Sequence, residues 1–202
     1  MKYYSQSDQD KWVCEFLNFK KNGFYLDIGA YDGVQTSNTL VLEKELDWSG
    51  ICIEANTEVF KNLSLNRNSI NLNLAVLDYE GHCGFREDSV CCETVGNTIG
   101  CDTLNNILEK NKAPNIIDYM SIDIEGSEFD ALKNFNFQKW QINLITIEHN
   151  LYLNGDFNKN RLFKLLSENN FERVVEDAPC LDQNPTVYLK PYEDWYVNKN
   201  IL

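Results

Sequence analysis

The sequence predicts an α/β fold with a mostly parallel sheet and helices on both of its faces. Short apolar segments alternate with amphipathic segments of about 10 residues, which is the pattern of repeated strand–helix units. The last two strand segments have no helix between them, which predicts an antiparallel hairpin at one edge of the sheet. A length of 202 residues suits one domain, and 43% hydrophobic residues can form a sizeable core.

The first part of the chain supplies three of these strands. The predicted strands are FYLDIG, WSGICIEA and INLNLAVLD, and the predicted helices are DQDKWVCEFLNF, SNTLVLEKEL and TEVFKNLSLNR. The Lys-Asn-Gly segment at 21–23 is expected to end the first helix, because glycine favours the backbone conformation of a helix C-terminus. The Ser-Asn pair at 37–38 and the Asn-Thr pair at 56–57 can cap the next two helices.

The second part of the chain supplies four strands. The predicted strands are IDYMSIDIEG, INLITIEHN, FERVVED and PTVYLK, and the predicted helices are TLNNILEKN, SEFDALKNF and NKNRLFKLLSENN. Between the two parts, GHCGFRED predicts a short hairpin piece. Residues 89–100 are turn-rich and predict an irregular loop over a site.

The charge of the chain restricts its partners. The formal net charge is -13, from 31 acidic and 18 basic residues. With no cluster of Lys and Arg, nucleic acids and anionic membrane surfaces are disfavoured partners, whereas a neutral polar acceptor such as a sugar is compatible. No apolar run approaches the roughly 18 residues that span a bilayer, and the first residues do not resemble a signal peptide. We therefore expect a cytoplasmic protein without membrane insertion.

The seven cysteines are expected to be reduced thiols, since their number is odd and the chain is long enough to fold without disulfides. Four of them are close in sequence to one another and to His82, at Cys83, Cys91, Cys92 and Cys101. None of their spacings is C-x-x-C, so a zinc site there is disfavoured.

Acidic residues follow most of the predicted strands. In doubly wound sheets ligands bind beyond the carboxyl ends of the strands, so these residues are the candidates for a site. They are the DIGAYDG segment at 27–33, Glu54, Asp78, the DIEG segment at 123–126 and the EHN segment at 148–150. The alternative is a solvated rim on an acidic protein.

The first strand end resembles a dinucleotide-binding loop without its middle glycine. Tyr31 and Asp32 occupy the place where that glycine would let a pyrophosphate approach the main chain. A carboxylate there repels a phosphate and attracts a cation. S-adenosylmethionine has an ammonium and a sulfonium group and no phosphate, so it suits this loop better than NAD does.

Two further acids suit an adenosine ligand. Glu54 lies at the end of the second strand, where an acid can accept hydrogen bonds from both ribose hydroxyls. Asp78 follows the third strand and could meet the adenine amino group, although Asp-Tyr-Glu-Gly is equally a turn. For Glu54 the alternative is an exposed strand terminus.

The segment SIDIEGSE offers two carboxylates on one side of a strand. Alternation directs Asp123 and Glu125 to the same side, and Gly126 lets the backbone turn after them. The pair could act as general base and orienting partner, or bind a hard divalent cation. Alternatively, Glu125 and Glu128 only stabilise the N-terminus of the next helix.

His149 is the remaining candidate for chemistry. It ends the fifth strand, and an imidazole with a pKa near neutrality is a natural base for a sugar hydroxyl. The alternative is a structural, hydrogen-bonded histidine. His82 is expected at the surface.

Taken together, these stretches resemble the FkbM family of S-adenosylmethionine-dependent methyltransferases. The resemblance covers about three quarters of the chain, in order, through SQSDQDKWV, GFYLDIGAYDGVQTSNTLVLE, WSGICIEAN, IDYMSIDIEGSEFDAL and ITIEHN. It does not extend to residues 83–101, and after residue 150 it holds only in pattern. We expect those regions to determine the choice of substrate.

The resemblance implies a Rossmann-like class I methyltransferase fold of seven strands with an antiparallel last strand. It implies methyl transfer to oxygen, commonly a hydroxyl of a sugar or a polyketide. Residues that would line the methionine half of the cofactor are Asp27, Gly29, Ala30, Asp32, Gly33 and Asn38. Glu54 would bind the ribose, and Asp123 and Glu125 would face the methyl acceptor with His149 nearby.

These observations lead to one main hypothesis, an O-methyltransferase for a sugar hydroxyl of a glycan or glycoconjugate. One of Asp123, Glu125 and His149 would remove the hydroxyl proton, and Asp123 and His149 are the candidate ligands if a divalent metal takes part. We expect one domain over 1–202, with a helical segment at 1–22 that caps the site. The chain could also be one domain of a larger protein, fused to or cooperating with glycosyltransferases.

Three alternatives stay open. An NAD-dependent oxidoreductase or epimerase of nucleotide sugars is disfavoured by the missing middle glycine. An O-methyltransferase of a polyketide-type small molecule fits the same motifs. A non-catalytic binding module would be expected to lack one of the cofactor acids, and the sequence retains all of them.

Overall fold

The computed structural model describes residues 1–86, 89–91, 97–149, 151, 155–179 and 191–202. The helices with described bounds are α1 (Gln9–Phe16), α2 (Leu40–Leu46), α3 (Thr57–Asn66), α4 (Leu104–Lys110), α5 (Glu128–Leu132) and α6 (Phe157–Glu168). The strands are β1 (Phe24–Ile28), β2 (Ser49–Ile53), β3 (Ile70–Leu72), β4 (Ala75–Val76), β5 (Gly81–Arg86), β6 (Ser89–Cys91), β7 (Asn97–Asp102), β8 (Ile116–Ile122), β9 (Gln141–Glu148), β10 (Phe171–Pro179) and β11 (Pro191–Asn198). No helix within these ranges is both long enough and apolar enough to cross a bilayer.

Seven strands form the main sheet, in the order β3-β2-β1-β8-β9-β11-β10. The pairs from β3 to β9 are parallel, and β11 is antiparallel to both of its neighbours. The predicted mostly parallel sheet with an antiparallel last strand is therefore confirmed. The chain moves outwards from β1 in one direction and from β8 in the other, so β1 and β8 form the topological switch point where ligands bind in such sheets.

Both faces of the main sheet are covered, which explains why its central strands are continuous apolar runs rather than alternating ones. One buried cluster includes Leu26, Met120 and Ile145 from three adjacent strands. The opposite face buries Tyr25 and Tyr119 with residues of α1 and α2. Side chains beyond the strand ends are thus held by a rigid, close-packed support.

The third predicted strand is divided between two sheets. Its first part pairs with β2, whereas β4 joins a second sheet of order β4-β7-β5-β6. The Asn73 amide donates hydrogen bonds to the carbonyl oxygens of Glu54 (2.8 Å) and Ala55 (3.2 Å), which directs the chain away from the main sheet. The prediction of one strand over 70–78 was therefore wrong.

The segment predicted as an irregular loop over a site, residues 89–100, contains strand β6 and most of strand β7 of the second sheet. Strand β7 covers 97–102 and pairs with β5 antiparallel, so the loop prediction was wrong there. The predicted hairpin piece is confirmed by the pairing of β5 with β6. Cys83 and Cys101 are buried in this sheet, and His82 is exposed as expected.

The closing strand lies further along the chain than predicted. PTVYLK, at 185–190, lies outside the described residues. The strand that completes the sheet is β11, whose central residues Glu193 and Asp194 are buried. Charged residues in a central strand contradict the apolar pattern by which strands are recognised in a sequence.

Candidate active site

The loop after β1 is joined to both neighbouring strands. The amide groups of Gly29 and Ala30 donate to the carbonyl oxygen of Ile53, at 2.9 and 3.0 Å, and the amide of Asp123 donates to Ile28 at 2.9 Å. Gly29 has φ +88°, and a Cβ atom there would lie 1.7 Å from the Asp123 carbonyl oxygen. This glycine is therefore required by the adjacent strand, independently of any ligand.

Asp32 shapes the same loop. Its Oδ1 atom accepts hydrogen bonds from the amides of Val34 (2.9 Å) and Gln35 (2.7 Å), a common arrangement of aspartate in turns. Gly33 has φ +78°, and a Cβ atom there would lie 2.6 Å from Cγ of Arg67. Asp32 thus has a structural role, and it adds negative charge at the switch point.

Asp27 lies beneath the loop and is 3% exposed. Its Oδ2 atom accepts a hydrogen bond from Oγ1 of Thr39 at 2.6 Å and lies 4.0 Å from the guanidinium of Arg67. Burial raises the pKa of Asp27, while Arg67 and Thr39 oppose this shift. The predicted cofactor residue is thus also the buried counter-charge of an arginine.

Arg67 is a key residue of the site region that the sequence analysis missed. Its side chain is fully buried. The guanidinium donates hydrogen bonds to Glu43 (2.9 Å), the Gly33 carbonyl (3.2 Å), Ser37 (3.2 Å), Tyr25 (2.8 Å) and Thr39 (2.9 Å). These bonds connect the loop after β1 to α2, but a single arginine at the end of a helix gives no such indication in the sequence.

The side-chain oxygen of Asn38 is buried and receives no hydrogen bond from the described residues. Its amide nitrogen donates to Oγ of Ser121 at 2.9 Å, which places it between β1 and β8. Its Oδ1 atom is buried and makes no hydrogen bond within the described part of the chain. A buried carbonyl oxygen without a partner is costly unless a ligand supplies an N–H group.

Glu54 lies beside the loop after β1, as predicted. Its two carboxylate oxygens accept the amides of Tyr31 (3.0 Å) and Asn56 (2.7 Å). Burial raises the pKa of Glu54, and these two amides oppose the shift. Each oxygen has a second lone pair, so the carboxylate can still accept hydroxyl groups of a ligand.

Asp78 is placed differently from the other cofactor candidates. Its carboxylate forms an ion pair with Lys133 at 2.7 Å, and both side chains are about one third exposed. The hydrogen bond from Lys133 holds the pKa of Asp78 below its ordinary value. This pairing satisfies Asp78 without an adenine ring.

Glu128 holds the turn that follows β8. It is fully buried, and its Oε1 atom accepts the amides of Gly126 (2.8 Å) and Ile124 (3.3 Å). The other carboxylate oxygen accepts the side-chain amide of Asn158 at 3.0 Å. Glu125 has φ +55° and is exposed at the tip of this turn. Of the two acids, Glu128 is therefore the structural one.

Three carboxylates converge beyond the ends of β8 and β9. Ligand oxygens of Asp123, Glu125 and Glu148 all lie within 4.8 Å of one another. Tyr192 donates a short hydrogen bond to Oδ2 of Asp123 and accepts one from Gln6 at 2.7 Å. Glu148 could be predicted from the sequence only as a strand end, and Tyr192 and Gln6 were not predicted as site residues.

Burial and neighbouring charges shift the pKa of Glu148 within this cluster. Glu148 is 2% exposed. Burial, followed by the charge of Asp123, raises the pKa of Glu148 well above its ordinary value. Glu193 pairs with Glu148 across the sheet, and its pKa is raised to about 8 by burial, against the hydrogen bonds from Trp195 and Gln9. Strongly shifted carboxyl groups of this kind are concentrated at functional sites.

His149 belongs to a different cluster. Its side chain is 1% exposed, and Nδ1 accepts the amide of Leu151 at 3.3 Å. Its Nε2 atom faces Asp177 and Asp194, each at 3.4 Å. The described residues contain two separate groups of candidate metal ligands, and Asp123 and His149 fall in different ones. The predicted metal pair is thus not brought together.

The predicted cap at 1–22 contacts the same edge of the sheet. Besides Gln6, Ser7 donates to the carbonyl oxygen of Pro179 at 2.8 Å. Trp12 of α1 stacks on Trp195 with a centroid distance of 4.9 Å. These contacts place the first residues beside Tyr192.

Comparisons with solved structures agree with this topology. The chain matches a methyltransferase FkbM from Methylobacillus flagellatus KT with a TM-score of 0.65 and 14% identity, over 96% of this chain and 48% of that one. It therefore spans about half the length of that protein. A putative O-methyltransferase from Klebsiella pneumoniae matches with a TM-score of 0.58 and 9% identity, over 95% and 80% of the two chains.

A third structure of this fold contains a ligand. Fibrillarin from Aeropyrum pernix, in complex with natively bound S-adenosyl-L-methionine, matches with a TM-score of 0.50 and 12% identity, over 88% of this chain and 67% of that one. At such identities these likenesses show the fold alone. No curated protein matches the chain.

Family membership rests on the sequence. The pattern of the methyltransferase FkbM domain matches residues 27–173, which include the loop after β1, Glu54, the turn after β8 and the end of β9. The match covers well over half of the 202 residues. The fold, the switch-point site and this match lead to one conclusion: the chain belongs to the FkbM family of methyltransferases.

Proposed function

We propose that this chain is an S-adenosylmethionine-dependent O-methyltransferase that acts on a sugar hydroxyl of a glycan or glycoconjugate. The observation that supports the proposal most directly is the position of Asp123. Its main chain contacts Gly29 of the loop after β1, and its side chain belongs to the cluster of carboxylates at the end of β8. A proton acceptor and a cofactor loop are thus side by side.

The loop residues suit a cationic adenosine ligand. The unpartnered Oδ1 atom of Asn38 can accept a hydrogen bond from the ammonium group of the cofactor. Glu54 can accept the ribose hydroxyls with its free lone pairs. Bound S-adenosylmethionine supplies an electrophilic methyl group, and the acids at the switch point favour its positive charge.

Asp123 is the base in this proposal. A hydroxyl that receives a methyl group must lose its proton, and Asp123 has a carboxylate held in place by Tyr192 and, through Tyr192, by Gln6. Burial and the charge of Asp123 raise the pKa of Glu148, so Asp123 is the carboxylate of this pair that the proposal assigns as base. His149 faces the other way, towards Asp177. Fixed positions of acceptor and base supply most of the acceleration.

A sugar acceptor suits the charge of the site. Acidic side chains crowd the end of β8 and β9, and they would repel a phosphate-rich nucleic acid. Neutral hydroxyl groups can instead donate hydrogen bonds to these carboxylates. A hydroxyl of a polyketide-type molecule satisfies the same chemistry, so the acceptor class is to be decided by assay. Cooperation with a glycosyltransferase would place such an acceptor within reach.

Ligand binding tests the cofactor. We expect S-adenosylhomocysteine at 100 times its Kd to stabilise the chain by about 2.7 kcal/mol in thermal unfolding, and NAD to have no effect. Stabilisation by NAD instead would favour the oxidoreductase or epimerase alternative. Absence of any effect from either compound would leave only the binding module. The same measurements with EDTA remove bound metal, so stabilisation by S-adenosylhomocysteine that persists in EDTA does not depend on a metal ion.

Methyl transfer tests the base. Assays with isotopically labelled methyl donor and a panel of sugars and glycosides should detect product with the natural chain. Asp123→Asn should reduce turnover by about 100-fold or more, the usual contribution of a general base, while S-adenosylhomocysteine affinity changes little. Asp130→Asn removes a carboxylate of α5 that pairs with Lys133, and it should leave turnover unchanged. Equal effects of the two substitutions would refute the assignment of Asp123.

A further inference from the structure

The second cluster of candidate ligands lies where the last three strands of the main sheet meet. His149 directly follows β9, Asp177 lies in β10 and Asp194 lies in β11. Asp177 has φ +56° and lies within the register shift between Val175 and Ala178 of β10, an irregularity that can re-aim a side chain. Ligand atoms of all three residues lie within 4.8 Å of one another. The assigned function uses none of them.

His149 has a buried nitrogen without a hydrogen bond. Its side chain is 1% exposed, and Nε2 has no hydrogen-bond partner among the described residues. Nε2 lies 3.4 Å from Oδ1 of Asp177 and 3.4 Å from Oδ1 of Asp194. Buried polar atoms are almost always satisfied, so this nitrogen requires an explanation.

The two distances match those between ligands of one metal ion. Zinc bonds to imidazole nitrogen and carboxylate oxygen at about 2.0–2.2 Å in a tetrahedral arrangement, which separates neighbouring ligand atoms by roughly 3.4 Å. Hydrogen-bonded nitrogen and oxygen atoms are closer, at about 2.7–3.2 Å. The observed 3.4 Å from Nε2 to each oxygen equals this spacing between ligand atoms, and ligand atoms of all three residues lie within 4.8 Å of one another.

We propose that His149, Asp177 and Asp194 form a three-ligand site for a divalent transition-metal ion of the zinc type. One imidazole with two carboxylates suits Zn²⁺ better than Mg²⁺, which prefers oxygen ligands only. The fourth position is left to water. The ion would join His149 to β10 and β11. Because His149 directly follows Glu148, the ion would also restrict the position of the carboxylate cluster to which Glu148 belongs.

Metal binding must displace two existing contacts. The ammonium group of Lys159 pairs with Oδ1 of Asp177 at 2.7 Å and with Glu176 at 2.8 Å. When a metal ion takes Oδ1 of Asp177, the ammonium group can keep its ion pair with Glu176. The ligating tautomer of His149 has its proton on Nδ1, so the 3.3 Å hydrogen bond from Leu151 is given up.

The other ligand, Asp194, has one carboxylate oxygen that faces His149. Its Oδ1 atom also accepts the amide of Asp177 at 2.9 Å. Arg173 occupies Oδ2 at 2.9 Å and leaves Oδ1 directed towards His149.

Metal titration of the full chain tests the site. After treatment with EDTA, we expect one equivalent of Zn²⁺ to bind in calorimetry and to raise the melting temperature in the presence of excess Mg²⁺. Co²⁺ should bind to the same site and give the intense visible absorption of a tetrahedral ion. Pale, octahedral Co²⁺, or binding abolished by Mg²⁺, would overturn the proposal.

Variants identify the ligands. His149→Gln and Asp177→Asn should each weaken Zn²⁺ binding at least 10-fold, and Glu125→Gln, in the other cluster, should leave it unchanged. Lys159→Met should strengthen binding, because it removes the cation that competes for Asp177. Zinc affinity that falls only in Glu125→Gln, or that is equal in all four variants, would assign the metal elsewhere. Circular dichroism of each variant checks that the fold is retained.

Discussion

Gly29 and Asp123 are in direct main-chain contact at the switch point of the sheet. The space beside Gly29 is occupied by the Asp123 carbonyl oxygen, 1.7 Å from the position of a Cβ atom. The amide of Asp123 also donates to Ile28, the residue before this glycine. The cofactor loop and the main chain of Asp123 therefore form one rigid unit. A shift of the main chain at either position must displace the other.

Gly29→Ala should destabilise the chain strongly. Alanine at φ +88° is strained, and its Cβ atom would collide with the main chain of Asp123 rather than with a movable side chain. We expect the free energy of unfolding to fall by about 3 kcal/mol, measured by urea denaturation. Gly126→Ala is the matched control. Its φ is also positive, at +104°, but a Cβ atom there would have no atom of the described residues within 4 Å apart from its chain neighbours. It should cost about 1 kcal/mol. Equal losses would mean that the collision is relieved at little cost.

Arg67→Met should be nearly as damaging as the loss of Gly29. The fully buried guanidinium pairs with Glu43 at 2.9 Å and lies 4.0 Å from Asp27, so its removal leaves one buried and one partly buried carboxylate without their cation. The expected loss is about 3 to 5 kcal/mol in urea denaturation. Lys61→Met, which breaks the exposed pair with Glu58, should cost less than about 1 kcal/mol. A small effect at Arg67 would show that the buried network adds little to stability.

The sequence was sufficient to predict the parallel part of the sheet and the edge where the site lies. Apolar segments such as those of β1 and β8 are recognisable because both faces of these strands are buried, and acids at their ends stand out against them. Residues defined by position relative to a strand end, such as Asp123 and Glu54, could therefore be found.

Residues defined by packing could not be found in this way. Strand β11 has the sequence PYEDWYVN, whose buried Glu193 and Asp194 look like surface residues in a sequence. Tyr192 meets Asp123 only because β11 is inserted beside β9, far from it in the chain. Glu148 and His149 are consecutive residues whose side chains point to opposite sides at the end of β9. Their different environments could not be predicted because the strands beside β9 were not known from the sequence.

Glu193 should make the stability of the chain depend on pH. Its pKa is about 8 in the folded chain because of burial, against an ordinary value of 4.5. Between these two values the folded chain holds a proton that the unfolded chain has released. The stabilisation is therefore complete below pH 4.5 and is lost as the pH rises to 8, by at most about 1.4 kcal/mol per pH unit.

Glu193→Gln removes this titration. In urea denaturation between pH 5 and 8, the variant should gain stability relative to the natural chain as the pH rises, by a few kcal/mol in total. Glu172→Gln changes an exposed carboxylate of the neighbouring strand and should give a curve parallel to that of the natural chain. If the curve for Glu193→Gln were parallel as well, the buried glutamate would titrate in the ordinary range.

Tyr192→Phe should lower turnover without affecting cofactor binding. The phenol donates to Asp123 and receives a hydrogen bond from Gln6, so its loss frees the carboxylate to rotate away from the acceptor hydroxyl. We expect kcat to fall by about 10- to 100-fold, with the Kd for S-adenosylhomocysteine unchanged, in methyl-transfer assays with the best sugar of the panel. Tyr119→Phe removes a buried phenol of β8 that pairs with Thr146 at 2.7 Å, away from Asp123. It should reduce stability but not kcat, so a matching fall in kcat for both variants would mean that Tyr192 acts through the fold rather than through Asp123.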